Sequence, residues 1–263
     1  MTPSPFSLSN KVCVIIGGAG TLGKAFSKAC AEAGATVVVA EIDAARGEAV
    51  AAEINNAGGV AAYFHCDATD PKSIHALVEE VKKKFGHIDG VANASHHPST
   101  TSQGATNFND VSYETFAEGL VAHAGSSFLS AREFGKVMEE QKSGSIVLVG
   151  SMYGHFAPRF EMYEGLGMTQ PAEYVIAKGG LTQFTAYLAK YIGPKGVRVN
   201  MLSPGGIIGS QPEEFKKRFN KHALLEGRML TPEEVAPTLV FLFSDASSHM
   251  TGQNLAVDGG WTL

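Results

Sequence analysis

Tyr174 and Lys178 stand four residues apart in the run Ala172-Glu173-Tyr174-Val175-Ile176-Ala177-Lys178-Gly179-Gly180. Inside a helix that continues to about Ile192, that spacing puts both side chains on one face, one above the other. The pairing can make a weak acid useful. A free tyrosine titrates near about 10 and holds its proton too tightly for efficient base catalysis. A cation at about 4 Å, in an effective dielectric of about 20, favours the phenolate by roughly 4 kcal/mol, or about three pKa units. The expected chemistry is proton transfer at an alcohol or carbonyl oxygen. Taken alone, Tyr-x-x-x-Lys also fits an ordinary exposed helical pair, so the surrounding chain has to decide.

The elements that would position this pair begin with Lys11 to Ile16, a β-branched run that reads as a buried strand. It meets Gly17-Gly18-Ala19-Gly20-Thr21-Leu22-Gly23, a helical pattern to Ala33 and a second strand over Thr36 to Ala40. Strand, glycine turn, helix and strand make a dinucleotide-binding unit with Gly-x-Gly-x-x-Gly at Gly18, Gly20 and Gly23. Glycine is needed because a pyrophosphate must touch the backbone, and the helix amino end then carries its charge. Glu41 closes the second strand, where a carboxylate can accept from a ribose and repel a 2′-phosphate; this favours NAD over NADP. Lys24 and Arg46 argue mildly for NADP but read as solvated helix charges.

A third strand, Val60 to His65, ends at Cys66-Asp67-Ala68-Thr69-Asp70. Asp70 before Pro71 reads as a helix cap, and Asp67 is placed to accept an adenine amino group or to shape the turn. Ile88 to Asn93 is a fourth strand, whose tail Ala92-Asn93-Ala94-Ser95 opens a polar stretch from His96 to Asp110. A loop of that length suggests function. His96 and His97 could touch a substrate or be ordinary loop residues, and no partner at ligand spacing supports a metal. Val111 to about Lys142 reads as a long helix broken near Gly119 or Gly125. Ser145 to Val149 is a fifth strand reaching Ser151. Between it and Tyr174, Phe156, Arg159, Phe160, Glu161, Tyr163 and Glu164 mark a recognition loop. Val197 to Leu202 is a sixth strand, followed by Ser203-Pro204-Gly205-Gly206, an amphipathic flap (Gln211 to Leu225), a capped helix from Thr231-Pro232-Glu233-Glu234 and a last strand over Asn254 to Val257.

Composition narrows the function classes. The 263 residues suit one α/β domain, and 44% hydrophobic content is enough for a full core. The net charge of −5 comes without a basic block, which argues against nucleic acid. The longest apolar runs, such as Thr238 to Phe243, are too short to span a bilayer, and Met1 to Asn10 lacks the apolar run of a signal peptide. Cys13, Cys30 and Cys66 sit in apolar patterns without metal spacing, which suggests a reducing cytoplasm.

Taken in order, the glycine turn, Asp67, Asn93-Ala94, Ser151, Tyr174-x-x-x-Lys178, Asn200 before Ser203-Pro204-Gly205, and Val257-Asp258-Gly259-Gly260 resemble a short-chain dehydrogenase/reductase over the whole chain from Lys11. The segment from Phe160 to Tyr174, with Ser203 to Ile207 and Gln211-Pro212-Glu213, is similar to bacterial flagellin-modification oxidoreductases of nonulosonic-acid pathways. The resemblance implies a Rossmann-type, doubly wound sheet of seven parallel strands with helices on both faces. It also implies reversible hydride transfer between a nicotinamide cofactor and a carbinol carbon, with a phosphorylated or nucleotide-linked sugar as substrate.

Ser151, Tyr174 and Lys178 would be catalytic. Tyr174 would exchange the alcohol proton, Lys178 would lower its pKa and bind the nicotinamide ribose, and Ser151 would orient the substrate oxygen. Cofactor contacts are expected from Gly17, Gly18, Gly20, Thr21, Leu22, Gly23, Glu41, Asp67, Ala68, Asn93, Ala94, Tyr174, Lys178, Pro204, Gly205 and Ile207. Ser95, Tyr153, Arg159 and Tyr163 would face the substrate across loops at about 94–110, 152–171 and 207–225. Tyr153 is a rival base without a lysine at helical spacing.

The resemblance also implies a homotetramer or dimer. Ile16 replaces the family's threonine, Ala92 and Ser95 depart from its Asn-Asn-Ala-Gly, and His123 takes the place of the asparagine that helps hold a proton-relay water. His123 could carry protons instead or be structural. A sugar epimerase or dehydratase with retained NAD and a non-catalytic NAD-binding scaffold are the alternatives.

Overall fold

β-branched residues alternate their faces along each central strand, so that both faces of one sheet can be covered. In the computed structural model, which describes residues 4–96 and 108–263, Val12, Val14 and Ile16 pack on one side and Cys13 and Ile15 on the other. His97 and most of the expected 94–110 loop lie outside the described residues.

The chain runs β1 (Val12–Ile16), α1 (Thr21–Glu32), β2 (Thr36–Glu41), α2 (Ala44–Asn56), β3 (Val60–His65), α3 (Pro71–Phe85) and β4 (Gly90–Asn93). It continues through α4 (Tyr113–Leu120), a π-helical turn (Val121–Gly125), α5 (Ser126–Gln141), β5 (Gly144–Val149), α6 (Ala172–Ile192) and β6 (Val197–Pro204). The last elements are α7 (Glu213–Asn220), α8 (Pro232–Phe243) and β7 (Asn254–Val257). All strand pairs are parallel, in the order β3-β2-β1-β4-β5-β6-β7. This is the expected seven-stranded, doubly wound sheet. The order reverses between β1 and β4, so their carboxyl ends open the crevice in which such sheets bind ligands.

One core layer joins the sheet to α3, α5 and α6 through Ile74, Leu77, Phe134, Met138, Leu181 and Ile192. The other joins it to α1, α2 and α8 through Phe26, Ile54, Val235, Leu239 and Phe243. A third cluster closes the carboxyl end: Met152, Tyr153, Met162 and Tyr163 pack with Phe215, Phe219, Met229 and Trp261. The helix starts follow local chemistry. Asp70 Oδ1 accepts from the Lys72 amide at 2.9 Å with Pro71 at the first position of α3, and the Glu234 carboxylate accepts the Thr231 amide at 2.8 Å. The amphipathic flap expected over Gln211 to Leu225 contains a helix of its own, α7, whose bounds that pattern does not delimit.

Candidate active site

The glycine turn after β1 fits a dinucleotide. Gly17 has φ +71°, and Gly23 packs so closely that a Cβ there would lie 1.9 Å from the Gly17 carbonyl oxygen. Gly20 opens α1 in extended conformation with no side-chain cap, and the first turn holds no acidic residue. Thr21, Leu22 and Gly23 therefore present first-turn amides at the positive end of a helix, as an anion requires.

Glu41, 7% exposed, does not stand free at the strand end. Its Oε2 accepts the Ala19 amide at 3.2 Å and its Oε1 accepts the Ile42 amide at 3.0 Å. Arg46 is more than the solvated charge expected of it, because its Nη2 donates to the Ala19 carbonyl at 2.7 Å and braces the same turn. Lys24 does stay at the surface, paired with Glu53 at 2.8 Å.

The other strand ends converge on this turn. Asp67 Oδ1 accepts from the Thr69 amide at 2.8 Å and the Thr69 hydroxyl at 2.7 Å, so that oxygen shapes the turn beside buried Ala68. Asn93 donates to Ser130 Oγ at 3.3 Å and accepts the Ser95 amide and hydroxyl at 3.0 and 2.6 Å. Ser95, expected at the substrate, is thus turned back onto β4. The Ala94 amide donates to Ile16, and the Gly205 amide, just past Pro204, donates to Val257. Ile207 bridges to Leu230.

Ser151, Tyr174 and Lys178 meet at the ends of β5 and α6. Ser151 is 6% exposed, accepts the Tyr153 amide at 3.2 Å and is hydrogen-bonded to Tyr174. The backbone fit that holds them is tight, since a Cβ on Gly154 would come within 2.7 Å of the Lys178 carbonyl oxygen. Lys178 Nζ lies 5.5 Å from the Tyr174 ring centre and donates to the Val149 carbonyl at 2.7 Å.

The expected lowering of the phenol does not appear. Burial raises the Tyr174 pKa and the Ser151 hydrogen bond only partly offsets it. Burial also brings Lys178 down to about 8, so the ammonium whose field was to stabilise the phenolate is itself poorly solvated. Tyr153 is no rival base. Its hydroxyl pairs with Tyr163 at 2.8 Å, and burial pushes its pKa far above the ordinary value. Tyr163, raised to about 12 by the same cause, is equally enclosed. Both tyrosines, expected at the substrate, belong to the third cluster.

His123 sits in the π-helical turn that replaces a simple break between α4 and α5. It is 4% exposed and its ring meets Tyr174 edge-on, with centres 5.1 Å apart. Gly119, one turn earlier, leaves room for the Glu173 side chain, which a Cβ would meet at 2.3 Å.

A family profile described as enoyl-(acyl carrier protein) reductase matches residues 17–262. The chain belongs to the short-chain dehydrogenase/reductase family. It is 34% identical to the post-translational flagellin modification protein A of Campylobacter coli, over 97% of this chain and 100% of that one. It is 33% identical to a 2,5-dichloro-2,5-cyclohexadiene-1,4-diol dehydrogenase of Sphingobium indicum, over 97% and 98%. Among solved structures, one assigned as an NAD(P)-dependent gluconate 5-dehydrogenase from Beutenbergia cavernae, with NADP bound at low occupancy, superposes with a TM-score of 0.85. That pair shares 29% identity, over 98% of this chain and 99% of that one. This short-chain dehydrogenase/reductase is therefore an oxidoreductase of the same single-domain, Rossmann-like architecture.

Two parts of this region make contacts that residue spacing does not reveal, although Arg159 and His96 are themselves expected as candidates. Trp261, fully buried, stacks on Phe219 at 5.1 Å and packs edge-on against Phe156 and Tyr153, tying the C-terminus to the segments 152–171 and 207–225. Arg159 lies over Phe156 and Trp261, 5.0 and 5.2 Å from their ring centres, and its buried Nε has no acceptor among the described residues. The second part is His96, whose ring lies 5.4 Å from His123 and 6.5 Å from Tyr174.

Proposed function

We propose that the protein transfers a hydride reversibly between NAD and the carbinol carbon of a phosphorylated or nucleotide-linked sugar. The observation that carries this reading is the convergence of Ser151, Tyr174 and Lys178 beside a glycine turn with uncapped α1 amides. When bound, the nicotinamide ring supplies the hydride acceptor or donor. Tyr174 takes the alcohol proton in one direction and returns it in the other. Ser151 orients the reacting oxygen, and Lys178 offsets the cost of the phenolate. Glu41, Asp67, Ala68, Asn93, Ala94, Pro204, Gly205 and Ile207 line the cofactor side of this proposal, with the glycine turn on the pyrophosphate.

Glu41 is the basis for NAD over NADP, because a second negative charge next to it would lack a compensating cation; Arg46 is already engaged with Ala19. Arg159 supports the anionic substrate. Its guanidinium is stacked on two rings, which pre-orients it. Three buried free cysteines suit a reducing cytoplasm. The reading extends to a homo-oligomer, a tetramer or dimer, seated on the exposed aromatic face of α5 and α6 around Phe128, Tyr187 and Tyr191.

A turnover screen of phosphorylated, nucleotide-linked and neutral sugars, with NAD and NADP side by side, tests the substrate and cofactor together. NAD-dependent oxidation of an anionic sugar is the expected result. Preference for neutral alcohols, or for NADP, removes those parts of the reading. Substrate consumption without net NADH would point instead to an epimerase or dehydratase that retains its cofactor.

A further inference from the structure

Oxidation of a secondary alcohol by NAD yields a ketone, NADH and one proton. In the reading above, that proton arrives on Tyr174 and must reach water before the next turnover. Ser151 and Lys178 are both enclosed, at 6% and 8% exposure, and one N–H of the Lys178 ammonium goes to the Val149 carbonyl. On the other side of the phenol the chain places two imidazoles in series. His123 is buried and touches Tyr174 edge-on at 5.1 Å, with an interplanar angle of 85°. His96 follows at 5.4 Å from His123 and is exposed.

We propose that His123 and His96 form a path that carries the Tyr174 proton to solvent. The inference rests on the hydride-transfer reading, because each such turnover releases or takes up one proton at Tyr174. Imidazole suits the task because it accepts a proton at one ring nitrogen and releases one from the other. In sequence, the Tyr174 O–H gives its proton to His123, His123 releases one from its second nitrogen to His96, and His96 delivers one to water. Each group returns to its starting charge, with one proton gained by the solvent. The reverse order supplies the proton for ketone reduction.

The π-helical turn is what puts His123 there. The Ser127 hydroxyl donates to the His123 carbonyl at 3.0 Å and the Ser126 hydroxyl to the Ala122 carbonyl at 2.7 Å, which fixes the wide turn between α4 and α5. Such turns occur often at functional sites. Among the described residues, the titratable groups near the pair include Tyr174, with Lys178 one turn on along α6, and buried Glu173, which lies against Gly119 one turn before His123.

Histidine NMR on the ligand-free protein tests the path without substrate. Imidazole titrations are followed in the wild type and in the His96→Ala, His123→Ala and Tyr174→Phe variants. Removing either imidazole is expected to shift the midpoint of the other, and Tyr174→Phe to shift that of His123. Independent midpoints overturn the proposal. The kinetic arm uses the sugar that gives turnover in the screen. His123→Ala and the exposed, fold-neutral His96→Ala should each lower kcat at least about tenfold in dilute buffer. Added imidazole should restore it, a response that a packing defect would not give. Unchanged kcat, or no response to imidazole, rejects the path while leaving hydride transfer intact. Absence of wild-type turnover with any alcohol removes the hydride reading, and the path with it.

Discussion

At the scale of the residue, the outcome turns on desolvation. Lys178 is placed to stabilise a phenolate, yet its burial costs the ammonium part of its own charge and brings its pKa to about 8. This predicts a pH-dependent stability. The folded pKa lies below the unfolded value of about 10.4, so between the two the unfolded chain binds more protons and stability rises with pH. Below about 8, the folded state bears the full penalty of ~3 kcal/mol. Lys178→Met should therefore be more stable than wild type at pH 7, with the gap closing as pH rises from 8 towards 10.5. Denaturant melts of the two proteins across that range measure it; a gap independent of pH would show that the buried amine carries no such cost. Burial also raises Cys66 and Tyr163, to about 12 in each case, and both act in the opposite sense at high pH. Comparison with the variant cancels them.

At the scale of the element, local rules place the helices and long-range contacts place the site. Asp70 and Pro71 start α3 through a hydrogen bond within three residues, which is why the spacing alone reveals it. Asp70→Ala should lose about 1 kcal/mol, read as a lower midpoint in urea with unchanged slope. No loss would mean that water serves the Lys72 amide equally well. The glycine turn and Tyr174-x-x-x-Lys178 are legible for the same reason, being contiguous motifs on one turn and one helix face. The docking of Arg46 on Ala19, the turning of Ser95 onto Asn93, the pairing of Tyr153 with Tyr163 and the approach of His96 to His123 are not. Each joins side chains whose meeting depends on how separate elements stack. The π-helical turn shows the boundary clearly. Gly119 and Gly125 mark an interruption in the long helix, but only the packed α6 decides that the interruption points His123 at Tyr174.

At the scale of the whole molecule, the sheet order follows from hydrophobic strands separated by helical crossovers, and the reversal between β1 and β4 fixes where a ligand can enter. Closure of the carboxyl end was harder to foresee, because Trp261 and Phe219 carry no motif. α5 and α6 leave Phe128, Tyr187 and Tyr191 exposed at 47%, 62% and 62%, with the two tyrosine rings nearly parallel at 6.3 Å. A face of that kind on a globular enzyme fits a second copy of the chain. If the proposed oligomer uses this face, Tyr187→Glu with Tyr191→Glu should reduce the mass seen by light scattering to that of a smaller assembly; an unchanged mass, or a wild type that is already monomeric, would contradict that use of the face. The central claim is tested most directly by Tyr174→Phe, with NAD binding measured by calorimetry beside turnover of the best sugar alcohol. Retained NAD affinity with turnover lost by at least about a hundredfold is the predicted result. Normal turnover in a variant that still binds NAD would contradict it.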